Sequence, residues 1–214
     1  MRYSYGWIST LAFAMSVTAT GSLAAVSVSQ IDKSGRFAHL AITGEISKTD
    51  VEKFDVLVRR LRPRIKIIDV ELNSTGGDVV AAIAIGNIIR SQSIWTVASD
   101  GEGTECASAC VLILAAGVVR IAGDDTRVEI HRPYFLQSDF AKLDHPAAQR
   151  QYSELTRVVR EYLGKMGMSA TLFEDMLRVP SDQGRTLSFD EMKAYGLAGW
   201  DPAYQEWTKA RAKH

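Results

Sequence analysis

The chain has 214 residues, of which 46% are hydrophobic and 23% charged, with 25 basic side chains against 25 acidic ones. That length builds one domain with a real core and leaves too little for two. Zero formal charge with no block of Lys or Arg does not suggest a nucleic-acid partner, which needs a concentrated basic face, and no cofactor is expected.

The first 25 residues differ from the rest. Arg2 is their only charged side chain, an apolar run extends from Trp7 to Val17, and small residues lead to Ser22-Leu23-Ala24-Ala25. A short positive end, an apolar stretch too short to span a bilayer and a small-residue cleavage site are the layout of a secretory signal. The alternative is an N-terminal membrane anchor. No later segment is apolar enough to cross a membrane. The expectation is therefore a signal over 1–25 and one periplasmic or secreted domain over 26–214.

Val26 to Ile31 and Phe37 to Ile42 alternate apolar and polar residues, the period of strands, with Ser34-Gly35 as a hairpin turn between them. Thr49-Asp50-Val51-Glu52 matches a capping box and predicts a helix to about Leu61, ended by Pro63. Lys66 to Leu72 reads as a strand, followed by the tight loop Asn73-Ser74-Thr75-Gly76-Gly77-Asp78 and a helix from Val79 to Arg90. Further strands are expected at Ile94–Ala98, Val118–Ile121 and Arg127–His131, with an apolar helix over Ser108–Ala116. Strands alternating with apolar helices imply an α/β fold with parallel pairing. The last third is helical: Pro146–Leu163, Thr171–Leu177 and Ser188–Tyr195, with a loop over Val179–Thr186. Tyr204 to His214 is basic and polar and suggests no role.

Three short pieces carry chemistry. Asn73-Ser74-Thr75-Gly76-Gly77 leaves a buried strand and enters a helix. Glycines there let backbone amides approach a ligand and face developing negative charge, although a plain strand-to-helix turn needs them too. Ser108, within Cys106-Ala107-Ser108-Ala109-Cys110, stands at a helix mouth, where free N–H groups and the helix dipole favour an oxyanion. Its other reading is a simple helix cap. His131 ends a strand in Val128-Glu129-Ile130-His131-Arg132-Pro133, placed to act as a general base, though lone histidines are more often structural.

Taken together, these residues resemble the Clp protease proteolytic subunit family, part of the larger crotonase-like fold. That family has an Asn-Ser-Pro-Gly-Gly turn, a nucleophilic serine at a helix start and a histidine in an Ile-His-Gln-Pro context. Asn73 to Gly77, Ser108 and His131 are the counterparts here. Pro146–Leu163 falls where the family's protruding handle helix lies, and Leu187-Ser188-Phe189-Asp190-Glu191 with Ala194-Tyr195-Gly196-Leu197 resembles its closing segment. The resemblance runs from about Ile67 to Leu197. It implies stacked parallel strands with helices outside and a protruding helical segment. It also implies a serine hydrolase, most simply a peptidase, and the signal-like N-terminus makes it an exported one. Ser108 would be the nucleophile, His131 the base, and the amides of Ala109 and of Gly76 or Gly77 the oxyanion hole. No cofactor or metal is implied. A peptide or protein substrate and a homo-oligomer are, but an ATP-driven unfoldase partner is not expected where no ATP is supplied.

Departures from the family pattern are specific. The family's aspartate lies four residues before the serine of the closing segment, and that position is Gly184. Asp182 is the candidate third member of a triad, with Asp175 as the fallback. Thr104 and Cys110 replace glycines flanking the serine, and Thr75 replaces the proline of the turn. A catalytically inactive scaffold serving binding or assembly is therefore the alternative reading, and an acyl-CoA enzyme of the same fold a third. Cys106 and Cys110 are expected to pair in an oxidising compartment. On a regular helix their Cβ atoms would be about 6 Å apart, against about 3.8 Å in a disulfide, so a bond requires Cys106 to lie in the turn before the helix. A cysteine nucleophile is the alternative, and two cysteines with no nearby histidine pair make a poor zinc site.

Overall fold

The computed structural model describes residues 25–134 and 144–211. The expected signal therefore falls almost wholly outside the described residues. Among the described residues the strands are β1 (Ala25–Ile31), β2 (Phe37–Ile46), β3 (Ile67–Gly77), β4 (Trp95–Ala98), β5 (Cys106–Ala107), β6 (Val119–Ile121), β7 (Val128–Ile130), β8 (Arg185–Thr186) and β9 (Gly199–Trp200). The helices are α1 (Lys48–Leu61), α2 (Val79–Ser91), α3 (Ala109–Ala116), α4 (His145–Lys165), α5 (Ala170–Arg178), α6 (Phe189–Tyr195) and α7 (Pro202–Arg211). None of these helices is long and apolar enough to cross a membrane.

β1 and β2 form the expected antiparallel hairpin, with Asp32 accepting the amides of Arg36 and Phe37 at 2.8 and 2.9 Å across the turn. β2, β3, β4 and β6 then run parallel, and β9 closes that edge antiparallel to β6. β3 belongs to two branches. Up to Leu72 it pairs with β4, and at Ser74 it pairs with Cys106 of β5, which in turn pairs in parallel with β7. β8 lies antiparallel on β7. The carboxyl ends of β3, β5 and β7 consequently converge, the end of a parallel sheet where binding crevices open.

The alternation along β2 and β3 sends Leu40, Ile42, Ile68, Val70 and Leu72 into the core. Every residue of α3 is buried, which its sequence ACVLILAA, without a polar side chain, requires. Helix α4 docks through Leu155, Val159, Tyr162 and Leu163 while its first turns stay largely exposed. The Tyr162 hydroxyl donates to the Leu112 carbonyl at 2.8 Å, in space left open by Gly86. Near the C-terminal end of α3, the Arg120 side chain is only 2% exposed. It donates to the carbonyls of Ala115, Gly196 and Met166 at 2.8–3.0 Å and meets Asp201 at 3.4 Å.

Two local expectations change. The helix after β2 is capped two residues earlier than Thr49 and Glu52 suggested. β2 runs to Ile46, so Ser47 is the first residue off the strand, and its amide and hydroxyl donate to Asp50 at 2.9 and 2.5 Å. The stretch Val179–Thr186 is not all loop, because Arg185–Thr186 pairs with β7.

Candidate active site

Ser108 stands between β5 and α3. It is the one residue from Cys106 to Arg120 that is not buried. Its backbone takes φ 56 and ψ −122, a region that a residue with a side chain seldom occupies. A sharp turn of this kind between a strand and a helix lifts a side-chain hydroxyl clear of the sheet. The hydroxyl makes no capping bond to the helix, so the simple cap reading fails. Ala109 begins α3, and its amide is one of those a helix leaves without an intrahelical acceptor.

The glycine turn presses on this serine. A β-carbon at Gly76 would stand 2.7 Å from Cβ of Ser108, 2.9 Å from the Ala107 carbonyl oxygen and 3.0 Å from the Ala109 nitrogen. Gly76 has φ +104 and Gly77 φ +134, and a side chain at Gly77 would run into the Ile46 backbone. Only glycine fits at either place. The Gly76 amide donates to Oγ of buried Ser74 at 3.1 Å, and Ser74 in turn donates to the Gly44 carbonyl at 2.5 Å. Ser74, named in the turn but given no role there, therefore takes up the Gly76 amide, which corrects the expectation that Gly76 is a free oxyanion donor and leaves Gly77 as the candidate in the turn. Asn73 ties the turn to the β5 approach by accepting the Glu105 amide at 3.2 Å.

His131 follows β7, next to β5. Ala107 pairs with Glu129, and the Ser108 amide donates to the Glu129 carbonyl at 3.0 Å. The register thus brings Ser108 and His131 out on neighbouring strand ends. Half-buried His131 makes a 2.8 Å hydrogen bond from Nδ1 to the Arg132 carbonyl, and the Tyr134 ring lies 5.6 Å from its own. A carbonyl only accepts, so Nδ1 carries the proton and Nε2 offers its lone pair, the tautomer a general base needs. Among the described hydrogen bonds none joins Ser108 to His131, and none brings a carboxylate onto His131. A cleft of about 610 Å³ opens beyond His131, lined by Arg132, Pro133, Tyr134, His145, Tyr152 and Ser181 among others.

The two aspartates sit elsewhere. Asp182 is exposed in a turn closed by the Gln183 amide donating to the Pro180 carbonyl at 3.1 Å. Asp175 is occupied by the Tyr195 hydroxyl and Arg178, both at 2.5 Å, with Arg185 at 3.9 Å. The Tyr195 hydroxyl, then Arg178 and Arg185, hold its carboxyl below the usual range despite partial desolvation. Of the two, neither makes a described contact with His131.

Cys106 and Cys110 are bonded, with Cα atoms 5.2 Å apart. Cys106 lies on β5 and Cys110 in the first turn of α3, the arrangement a four-residue spacing requires. The bridge spans Ser108 and brackets its strained turn. With both thiols used, neither cysteine is a nucleophile in this structure. Thr104, in a position where the related family has glycine, donates to the Gly101 carbonyl at 2.8 Å and closes the loop before β5. Among the described residues no cluster of His, Cys, Asp and Glu is arranged to hold a metal ion.

No curated protein matches the sequence. A solved structure of a single-substitution mutant of ClpP1 from Listeria monocytogenes shares the fold, at a TM-score of 0.58 and 21% identity over 77% of this chain and 90% of that one. The segment holding the glycine turn, the strained serine and the histidine lies inside a match to the Clp protease family model that spans residues 27–199, and on that match the chain belongs to the Clp protease family.

Proposed function

We propose that the protein is an exported serine peptidase in which Ser108 attacks the scissile carbonyl and His131 takes its proton through Nε2. Strain at Ser108 carries this reading: a non-glycine residue at φ 56 and ψ −122, with a hydroxyl unused by the helix, has a structural cost and no structural return. The tetrahedral oxyanion would be met by the Ala109 amide at the mouth of α3 and by the Gly77 amide, the Gly76 amide being spent on Ser74. Acyl transfer to Ser108 and hydrolysis by a water activated at His131 complete the cycle. Cleavage of a fluorogenic peptide library by purified residues 26–214 tests this. Turnover lost in both Ser108→Ala and His131→Ala is expected, and turnover retained in either variant contradicts it.

A second reading rests on two observations. The Gly76 amide is engaged by Ser74, and the His131 ring is held by the Arg132 carbonyl rather than by a carboxylate. A scaffold that binds or assembles without cleaving would keep these contacts in every state. It predicts no turnover with any peptide.

Export is supported by the signal-like residues 1–25 and by the Cys106–Cys110 bond, which oxidising compartments favour. N-terminal sequencing of the protein from periplasm or medium should begin near Val26, and a full-length cytoplasmic product would contradict export. Self-assembly through the exposed first half of α4 is the companion proposal, and a monomer in sedimentation at micromolar concentration would sink it. A peptide or protein is the substrate, and no ATP-driven unfoldase is invoked.

A further inference from the structure

We propose that Glu129 is the carboxylate that serves His131, in place of a carboxylate on the strand opposite. The inference rests on the peptidase reading above. In the β7–β8 ladder Glu129 stands opposite Thr186 and Ile130 opposite Arg185. Continuing that register by one residue sets Gly184 opposite His131. Side chains directly across an antiparallel pair share a face and have Cβ atoms about 4.5–5.5 Å apart, so residue 184 is the position from which a side chain would reach the imidazole. Glycine leaves that slot without a side chain of its own.

Glu129 fills it. Residues two apart on a strand share a face, so Glu129 and His131 are on the same side of β7. A β-carbon on Gly184 would stand 2.5 Å from Oε2 of Glu129 and 3.1 Å from its carboxyl carbon. The other oxygen is anchored: Oε1 accepts from Thr186 at 3.1 Å and from Arg127 at 2.6–2.8 Å. The described hydrogen bonds and ion pairs of Glu129 use Oε1, which leaves Oε2 directed into the slot beside His131. The Glu129 side chain is 15% exposed and its Arg127 partner 57% exposed, so the carboxylate lies inside the site while the cation reaches it from the surface.

The labour is divided. The Arg132 carbonyl fixes the tautomer through Nδ1–H, and the Glu129 carboxylate supplies the negative charge that stabilises imidazolium when Ser108 gives up its proton. Glu129 is thus a positioning and electrostatic residue, not one that touches substrate. The other charges on β7 and the segments beside it are Arg132 next to His131, Glu105 on the β5 approach at 3.6 Å from Arg127, Arg185 turned toward Glu191, and Asp182 in its exposed turn.

Two readouts on the mature chain test the role: the rate of Ser108 labelling by a fluorophosphonate, and NMR titration of the His131 imidazole in histidine-labelled protein. Glu129→Gln should slow labelling by at least about ten-fold and lower the imidazole midpoint, with the melting temperature held as a check on folding. The double variant Glu129→Ala with Gly184→Asp should restore most of both, because emptying the slot from β7 lets a carboxylate enter it from across the ladder. A native labelling rate and an unmoved titration in Glu129→Gln overturn the role alone. Loss of both on Asp182→Asn, with none on Glu129→Gln, would give the role to the exposed turn. No labelling of the native chain removes the peptidase reading, and an imidazole midpoint indifferent to Glu129→Gln in that same chain removes this one separately.

Discussion

Gly76 and Ser108 are packed so closely that a β-carbon on residue 76 would stand 2.7 Å from Cβ of the serine. At φ +104 an alanine would also be strained whatever the space. Gly76→Ala should therefore cost about 1–3 kcal/mol of stability and push the serine out of line. Urea unfolding and peptide turnover check both effects, and a variant as stable and active as the native chain would contradict the packing.

Strain at Ser108 makes an opposite pair of expectations. Ser108→Ala keeps the strained backbone and removes only an unbonded hydroxyl, so stability should hardly change. Ser108→Gly relaxes the φ 56 backbone and should be more stable than Ser108→Ala by about 1 kcal/mol, a gain trimmed by the greater freedom of glycine when unfolded. Neither variant should turn over peptide. A large loss of stability in Ser108→Ala would mean that the hydroxyl is structural.

The Cys106–Cys110 bond closes a very short loop, for which chain entropy gives about 2 kcal/mol. Its position matters more than this figure, because it ties β5 to α3 across the nucleophile. Reduction, or a Cys106→Ala/Cys110→Ala double variant, should lower the unfolding midpoint modestly and slow turnover disproportionately. Turnover falling only in step with stability would make the bridge a simple staple.

How much of this was legible follows from where information lies along a chain. Long elements with a clean period, such as β3 and α4, were readable because burial repeats at the spacing of the strand or helix. Two-residue strands β5, β8 and β9 have no period to read, and their existence depends on neighbours distant in sequence. Ser108 was legible as the mouth of an apolar helix, and His131 as the end of a strand. The partner of His131 was sought along the chain, at Asp182 and Asp175. Its slot is defined instead by pairing of Glu129 with Thr186, a register that no local pattern encodes.

Asp201 offers a test by pH. Burial by itself raises its carboxyl, but the Tyr204 amide, Arg90 and Arg120 outweigh this and hold the group below its ordinary value. The ionised form is favoured by folding, so its contribution is present above the unfolded value of about 3.9 and lost as pH falls through the lower folded value. Asp201→Asn leaves Arg90 and buried Arg120 without their carboxylate and should cost about 3 kcal/mol at neutral pH. The gap to the native chain should narrow as the pH is lowered toward 3. A gap independent of pH would show that charge is not what this corner uses.

The central claim is that Ser108 is a nucleophile activated by His131. Incubating the mature chain with a fluorophosphonate and locating the adduct by peptide mass spectrometry tests it most directly. We expect one adduct, on Ser108, absent in Ser108→Ala and at least about 100-fold slower to form in His131→Ala. An unlabelled native chain, or labelling undiminished in Ser108→Ala, would contradict it.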